Sequence, residues 1–187
     1  MDNEHAADIV TDARVKAHFP DTIANILSNH TKAVHDSLAL DISSLTLDIA
    51  CRAYKANAQV IPDGAITKIL YNAENFDVGG NFDADGADSN FTVPAGEAGF
   101  YHINALCGFI DLINDQSIKI SIYVDGVIKA SNSRFVRVGT QNIQVSALLD
   151  LAVGEVVDIR VTQNAGAGKN VSQSSSTNYV EIFKLGT

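Results

Sequence analysis

Beyond residue 45 the apolar side chains of this chain alternate with polar or small ones. Leu45, Leu47, Ile49, Cys51 and Ala53 form one such series. Ile118, Ile120, Ile122 and Val124 form another, with Lys119, Ser121, Tyr123 and Asp125 in the opposite phase. A period of two is strand logic, because successive side chains of an extended backbone point to opposite faces. Further runs of this kind are ITKILYN, FYHINALCGFIDL, NIQVSALLDL, VVDIRV and YVEIFKL. Turn residues separate them at Pro62-Asp63-Gly64, Gly79-Gly80, Pro94-Ala95-Gly96, Asp125-Gly126, Gly139 and Gly154. Val124-Asp125-Gly126-Val127 is a strong signal for a two-residue hairpin. Eight or more short strands with turns at this spacing predict an all-β antiparallel sandwich of the jelly-roll type. Nothing after residue 45 has a helical period, and no internal repeat is evident. The stretch Ala165 to Thr177, AGAGKNVSQSSST, reads as a flexible loop between the last two strands.

The first part of the chain follows a different rule. Pro20 breaks any preceding helix, and Asp21 or Thr22 can cap a new one. Ile23, Ile26, Leu27, His30, Val34 and Leu38 then follow i, i+3, i+4 spacing and predict a short α-helix with one narrow apolar stripe. Two readings fit it: a helix packed on its own domain, or an oligomerising or docking helix. The expected organisation is therefore a helical anchoring or oligomerisation segment over 1–42 and a β-domain over 45–187.

Charge narrows the function. The chain has 187 residues with a net charge of −9, which argues against binding a phosphate backbone, which needs a basic face, and against electrostatic attachment to anionic lipid. No apolar run reaches the length of a membrane span. The acidic start MDNEHAADIV lacks the regions of a secretory signal, which leads to the expectation of a protein made and kept in a cytoplasm. On that expectation the N-x-Ser/Thr sites at Asn29, Asn90 and Asn170 are coincidental. Cys51 and Cys107 are far apart and read as small buried residues rather than a disulfide or a metal pair.

Catalytic signatures are missing. His30 and His35 lie one position off the spacing that aligns two ligands on a helix, and His5, His18 and His102 are scattered. The segment Gly166 to Asn170 imitates a phosphate loop but lacks its Ser or Thr and a following helix. No G-x-S-x-G elbow is present. The most chemical stretch is DVGGNFDADGADSN, where Asp83, Asp85, Asp88 and Asn90 could surround a calcium ion or form an ordinary solvated acidic loop. The expectation is a non-enzymatic protein without a cofactor.

Several residues in order carry a resemblance. They are Cys51-Arg52-Ala53-Tyr54, Gln59-Val60-Ile61-Pro62 and the run Thr67 to Asn72, with Phe76-Asp77 soon after. Next come Phe91, Pro94, Gly99 and Tyr101, with Phe100 before the tyrosine. The Ile118–Val124 strand, Leu149-Asp150-Leu151 with Gly154-Glu155, and the final strand Val180 to Leu185 complete the series. Over about Leu45 to Leu185 this resembles the complement C1q-like branch of the tumour-necrosis-factor/C1q jelly-roll superfamily.

The resemblance implies a homotrimer with central-strand side chains on a threefold axis. The matching positions are Tyr71, Phe100, Tyr101, Ile182 and Phe183, some of which would instead fill the sandwich interior. Only one of Phe100 and Tyr101 can face the core of an alternating strand. Calcium is known in the family.

The signal peptide and collagen-like stalk of animal members are not in this sequence, and the layout is more similar to bacteriophage and bacterial C1q-like proteins. That implies a virion structural protein made in the host cytoplasm: a head fibre, capsid-decoration or tail-appendage protein. Residues 1–42 would attach it to a capsid or tail protein, and the jelly roll would stabilise the capsid or bind a host-surface glycan or protein. The alternative is a secreted or cell-surface recognition module, lectin-like or of complement type, with an export signal upstream. A jelly-roll enzyme would need a histidine cluster inside the sandwich, which the sequence does not offer.

Overall fold

The alternating runs become twelve strands: β1 (Ala50–Tyr54), β2 (Val60–Ile61), β3 (Thr67–Lys68), β4 (Ala73–Val78), β5 (Phe91–Thr92), β6 (Gly99–Leu112), β7 (Gln116–Val124), β8 (Val127–Val136), β9 (Gly139–Leu151), β10 (Val156–Gln163), β11 (Lys169–Asn170) and β12 (Asn178–Gly186). The structure is a computed structural model that describes residue 32 and residues 49–186, apart from 86 and 114. The expected helix with Ile23, Ile26, Leu27, Val34 and Leu38, and the pair His30 and His35, lie outside the described residues. All the strands belong to the unit Leu47–Thr187.

Two sheets face each other. One has the order β4-β1-β12-β6-β9; the other has β3-β10-β7-β8, with β5 also paired to β10. Every ladder between strands is antiparallel. Strands adjacent in a sheet are mostly distant in sequence, since β1 lies beside β12 and β6 lies between β12 and β9. A chain that repeatedly crosses from one sheet to the other is a jelly roll, and the expected all-β class holds.

Alternation puts one phase of the central strands into the space between the sheets. Cys51, Ile182, Ile103 and Val145 come from the first sheet, and Ile120, Ile122, Ile159 and Val161 from the second. Aromatic rings fill the wider parts of the interior, with Phe91 against Tyr101 at 5.6 Å and Tyr71 edge-on to Phe82 at 6.2 Å. Both cysteines are free and buried, and burial pushes both thiols well above their ordinary value, so neither is poised as a nucleophile. The Asp125-Gly126 hairpin has both central residues at positive φ, 49° and 76°, the conformation that matches strand twist.

Two segments depart from the sequence pattern. ITKILYN does not run as one strand. The Gln59 side chain donates to the Lys68 carbonyl (2.7 Å) and accepts from the Leu70 N–H (2.9 Å), taking the place of a neighbouring strand and ending β3 after two residues. The stretch 165–177 is not a free loop. Lys169 and Asn170 pair with Ile61 and Val60, Val171 is fully buried against Phe109, and Ser172 donates its N–H to the Gly108 carbonyl at 2.7 Å. A polar composition hid one apolar side chain that the core takes in.

That docking explains Gly108. A Cβ there would meet Ser172 Oγ at 2.6 Å, Asn142 Oδ1 at 2.7 Å and the Thr177 carbonyl at 3.1 Å. Glycine inside a strand marks a close backbone approach. Gly108→Ala is expected to cost about 1–3 kcal/mol by overpacking. Urea denaturation checks this as a lower midpoint at unchanged slope.

Candidate functional site

The outer face of the sheet β4-β1-β12-β6-β9 has a composition unlike an ordinary solvated surface. Its register aligns Val78, Ala50, Phe183, His102 and Leu148 as cross-strand neighbours, one from each strand. An apolar row broken only by an imidazole therefore crosses the whole sheet. Phe183 and His102 stack at 5.0 Å between ring centroids. Phe100 flanks the row at one end of β6 and is 48% exposed, while Leu148 at its edge is 57% exposed. Between Phe76, Ala50 and Phe183 lies an apolar hollow of about 350 Å³.

A polar row runs beside it. The Arg52 guanidinium pairs with Glu181 at 2.8 Å, the Asn104 amide donates to Glu181 at 3.0 Å, and the Gln144 amide donates to Asn104 Oδ1 at 2.6 Å. Arg52 also lies over the Tyr179 ring at 4.4 Å. These groups satisfy one another within the sheet, so they accept a covering surface without losing partners. His102 is different. Its Nε2 meets Ser146 Oγ at 2.9 Å, and its buried Nδ1 has no hydrogen-bond partner among the described residues.

A half-exposed apolar row with a pre-paired polar row beside it has the chemistry of a protein contact. Among the described residues no three His, Cys, Asp or Glu side chains are grouped to hold a metal.

The structure sorts the residues singled out from sequence. Phe100 and Phe183 lie on this outer face. Tyr71, Tyr101 and Ile182 lie inside the sandwich, fully or almost fully buried. Tyr101 donates its hydroxyl to the Glu97 carbonyl at 2.6 Å, and burial next to Glu97 pushes its pKa up to about 12. These three fill the core, and the outward pair alone is available to a second copy.

In the calcium candidate, Asp85 accepts the backbone N–H groups of Ala87 (2.6 Å) and Asp88 (3.3 Å), which hold its carboxyl below the ordinary value. The Lys68 ammonium takes the Asp88 carbonyl (2.5 Å) and Asn90 Oδ1 (2.5 Å). Asp83 Oδ1 accepts the Asp85 N–H at 3.1 Å. These loop oxygens are turned to the chain's own donors.

Leu148, His102 and Val78 were missed as site residues. Leu148 had a signal: the doublet Leu148-Leu149 breaks the alternation of NIQVSALLDL, so one of the two had to face outward.

Solved structures share this fold. Murine APRIL, in a crystal structure at pH 5.0, is similar over 73% of this chain and 98% of its own, with 15% identity and a TM-score of 0.56. Eiger TNF from S. frugiperda is similar over 74% of this chain and 92% of its own, at 11% identity and a TM-score of 0.56. The globular domain of zebrafish complement 1qA covers 74% of this chain and 98% of its own, at 14% identity and a TM-score of 0.54. The fold is a C1q/TNF-like jelly roll. No protein-family model matches the sequence, and no curated protein matches it either. In this C1q/TNF-like fold the apolar row crosses the outer face of one sheet from edge to edge.

Proposed function

We propose that this protein is a non-enzymatic, homotrimeric C1q/TNF-like module that presents three copies of its remaining surface for binding. The observation that carries this reading is the apolar row Val78, Ala50, Phe183, His102 and Leu148 on the outer face of one sheet. Exposed apolar patches of this kind mark contact sites. The finer reading is a bacteriophage virion appendage, held to a capsid or tail protein by residues 1–42 and adsorbing to the host surface. Its support is the resemblance of the sequence to phage members. A secreted recognition module is the second reading, favoured by the likeness to a complement globular domain. Finding capsid or portal genes beside this one would favour the former, and finding an export signal upstream would favour the latter.

The test is the solution mass of the full chain beside a chain that starts at Leu45. Both are expected to be trimers, which leaves residues 1–42 available as the anchor. If only the full chain is trimeric, the first segment clamps the assembly and the anchor lies elsewhere. If both are monomers, the trimeric reading falls.

A further inference from the structure

The opposite outer face carries a groove that assembly of the first sheet leaves open. It lies where β7, β8 and β10 end, has a volume of about 530 Å³, and is bordered by Phe135. Phe135 is 81% exposed, more than any other large apolar side chain noted on this surface. A ring this exposed offers a free face on which another ring can stack. The register places Phe135 beside Ser117, and the neighbouring row holds Ser133, Lys119 and Thr162. The groove floor therefore offers hydroxyls as both donors and acceptors.

The charge of the groove is its second feature. No carboxylate lines it, although the chain carries a net charge of −9. Three other cations face acids, Arg52 against Glu181, Arg160 against Asp158 and Lys184 against Glu97. In the groove Arg134 is held by neutral oxygens only, the Asn142 carbonyl (2.9 Å) and Gln141 Oε1 (2.6 Å), so its charge is uncompensated. Lys119 has no hydrogen-bond or ion-pair partner among the described residues. A site of this volume is within the usual range of roughly 300–1,000 Å³ for small-ligand pockets.

We infer that this groove binds a saccharide bearing a carboxylate, with a sugar ring stacked on Phe135, its hydroxyls on Ser117, Ser133 and Thr162, and its carboxylate paired with Lys119. This deepens the reading of a trimeric surface-binding module and rests on it for avidity, since three weak sites on one particle engage a repetitive glycan together. Arg134, pinned at the rim, adds field without moving.

The experiment is isothermal titration of the full chain, in a sample of measured solution mass, with sialyllactose, tri-galacturonate and neutral lactose. At least one acidic probe is expected to bind at millimolar concentration or below, and lactose about tenfold more weakly, since a charge-assisted bond is lost. Lys119→Met keeps the stem and removes the charge; it is expected to abolish the preference for the acidic probe while leaving lactose unchanged. Phe135→Ala is expected to weaken every probe. Silence toward both acidic probes overturns the site, as does binding that neither substitution alters. A trimeric sample that ignores the acidic probes removes this site and leaves the assembly standing. A monomeric sample that binds them removes the assembly and leaves the site.

Discussion

On the trimeric reading proposed above, replacing Leu148 by Asp is expected to give folded monomers. Leu148 lies at the end of the apolar row, on the edge strand β9, opposite His102. Its side chain is 57% exposed and takes no part in the core, which β9 serves through Ile143, Val145 and Leu151. In the monomer an aspartate here is hydrated, and its effect on stability stays within about 0.5 kcal/mol. In the assembly symmetry repeats the change in every copy, and each carboxylate loses its water against an apolar partner. An unpaired charge in such a contact costs several kcal/mol or drives the surfaces apart. Sedimentation is expected to give one chain's mass for Leu148→Asp, with the urea midpoint of the monomer retained. Ser131→Asp on the other sheet is the comparison and is expected to leave the mass unchanged. A trimer that tolerates Leu148→Asp would show that the copies meet through another face.

The strand skeleton of this domain was legible because its information is local. Alternation identifies a strand and its two faces, and Gly or Asp-Gly at a turn requires a positive φ that few other residues adopt without strain. The inward phase Ile118, Ile120, Ile122 and Val124 and the Asp125-Gly126 hairpin follow from those two rules alone. Less legible was anything decided by side-chain hydrogen bonds between distant segments. Gln59 ends β3 from nine residues away, and nothing in ITKILYN announces it. The serine-rich stretch after residue 170 reads as solvated, yet Val171 is taken into the core and Asn178 donates to the Ser172 carbonyl at 3.0 Å.

The candidate site was half legible for a related reason. A resemblance in one dimension names positions but not their faces, so Tyr71, Tyr101 and Ile182 were grouped with Phe100 and Phe183 although the sheet divides them. Register makes the division. Once Phe183 is paired with His102 and His102 with Leu148, the outward row completes itself without further information. The second site depends even more on pairing. Phe135, Lys119 and Thr162 are unremarkable in their own runs and become a groove only where three strands end side by side.

Adjacent residues on β6 are expected to respond to truncation in opposite ways. Tyr101→Ala removes a fully buried ring that packs on Phe91, and it also removes the hydroxyl donated to the Glu97 carbonyl at the turn before β6. Losses of large buried aromatic side chains run at about 3–5 kcal/mol. Against a total stability of about 5–15 kcal/mol, that brings the domain close to unfolding. Tyr101→Phe keeps the ring and loses the hydrogen bond, for a cost of about 0.5–1.5 kcal/mol. Phe100→Ala, one position away, removes an outward ring and is expected to leave monomer stability within about 0.5 kcal/mol. Its cost falls instead on association, where truncating an anchoring aromatic costs about 2 kcal/mol or more. Urea denaturation and sedimentation of the three variants separate the two effects. Because a strand's side chains alternate strictly, a one-residue slip in β6 would exchange the roles of Phe100 and Tyr101. A stable Tyr101→Ala beside a collapsing Phe100→Ala would reveal that slip, and with it a different outer face.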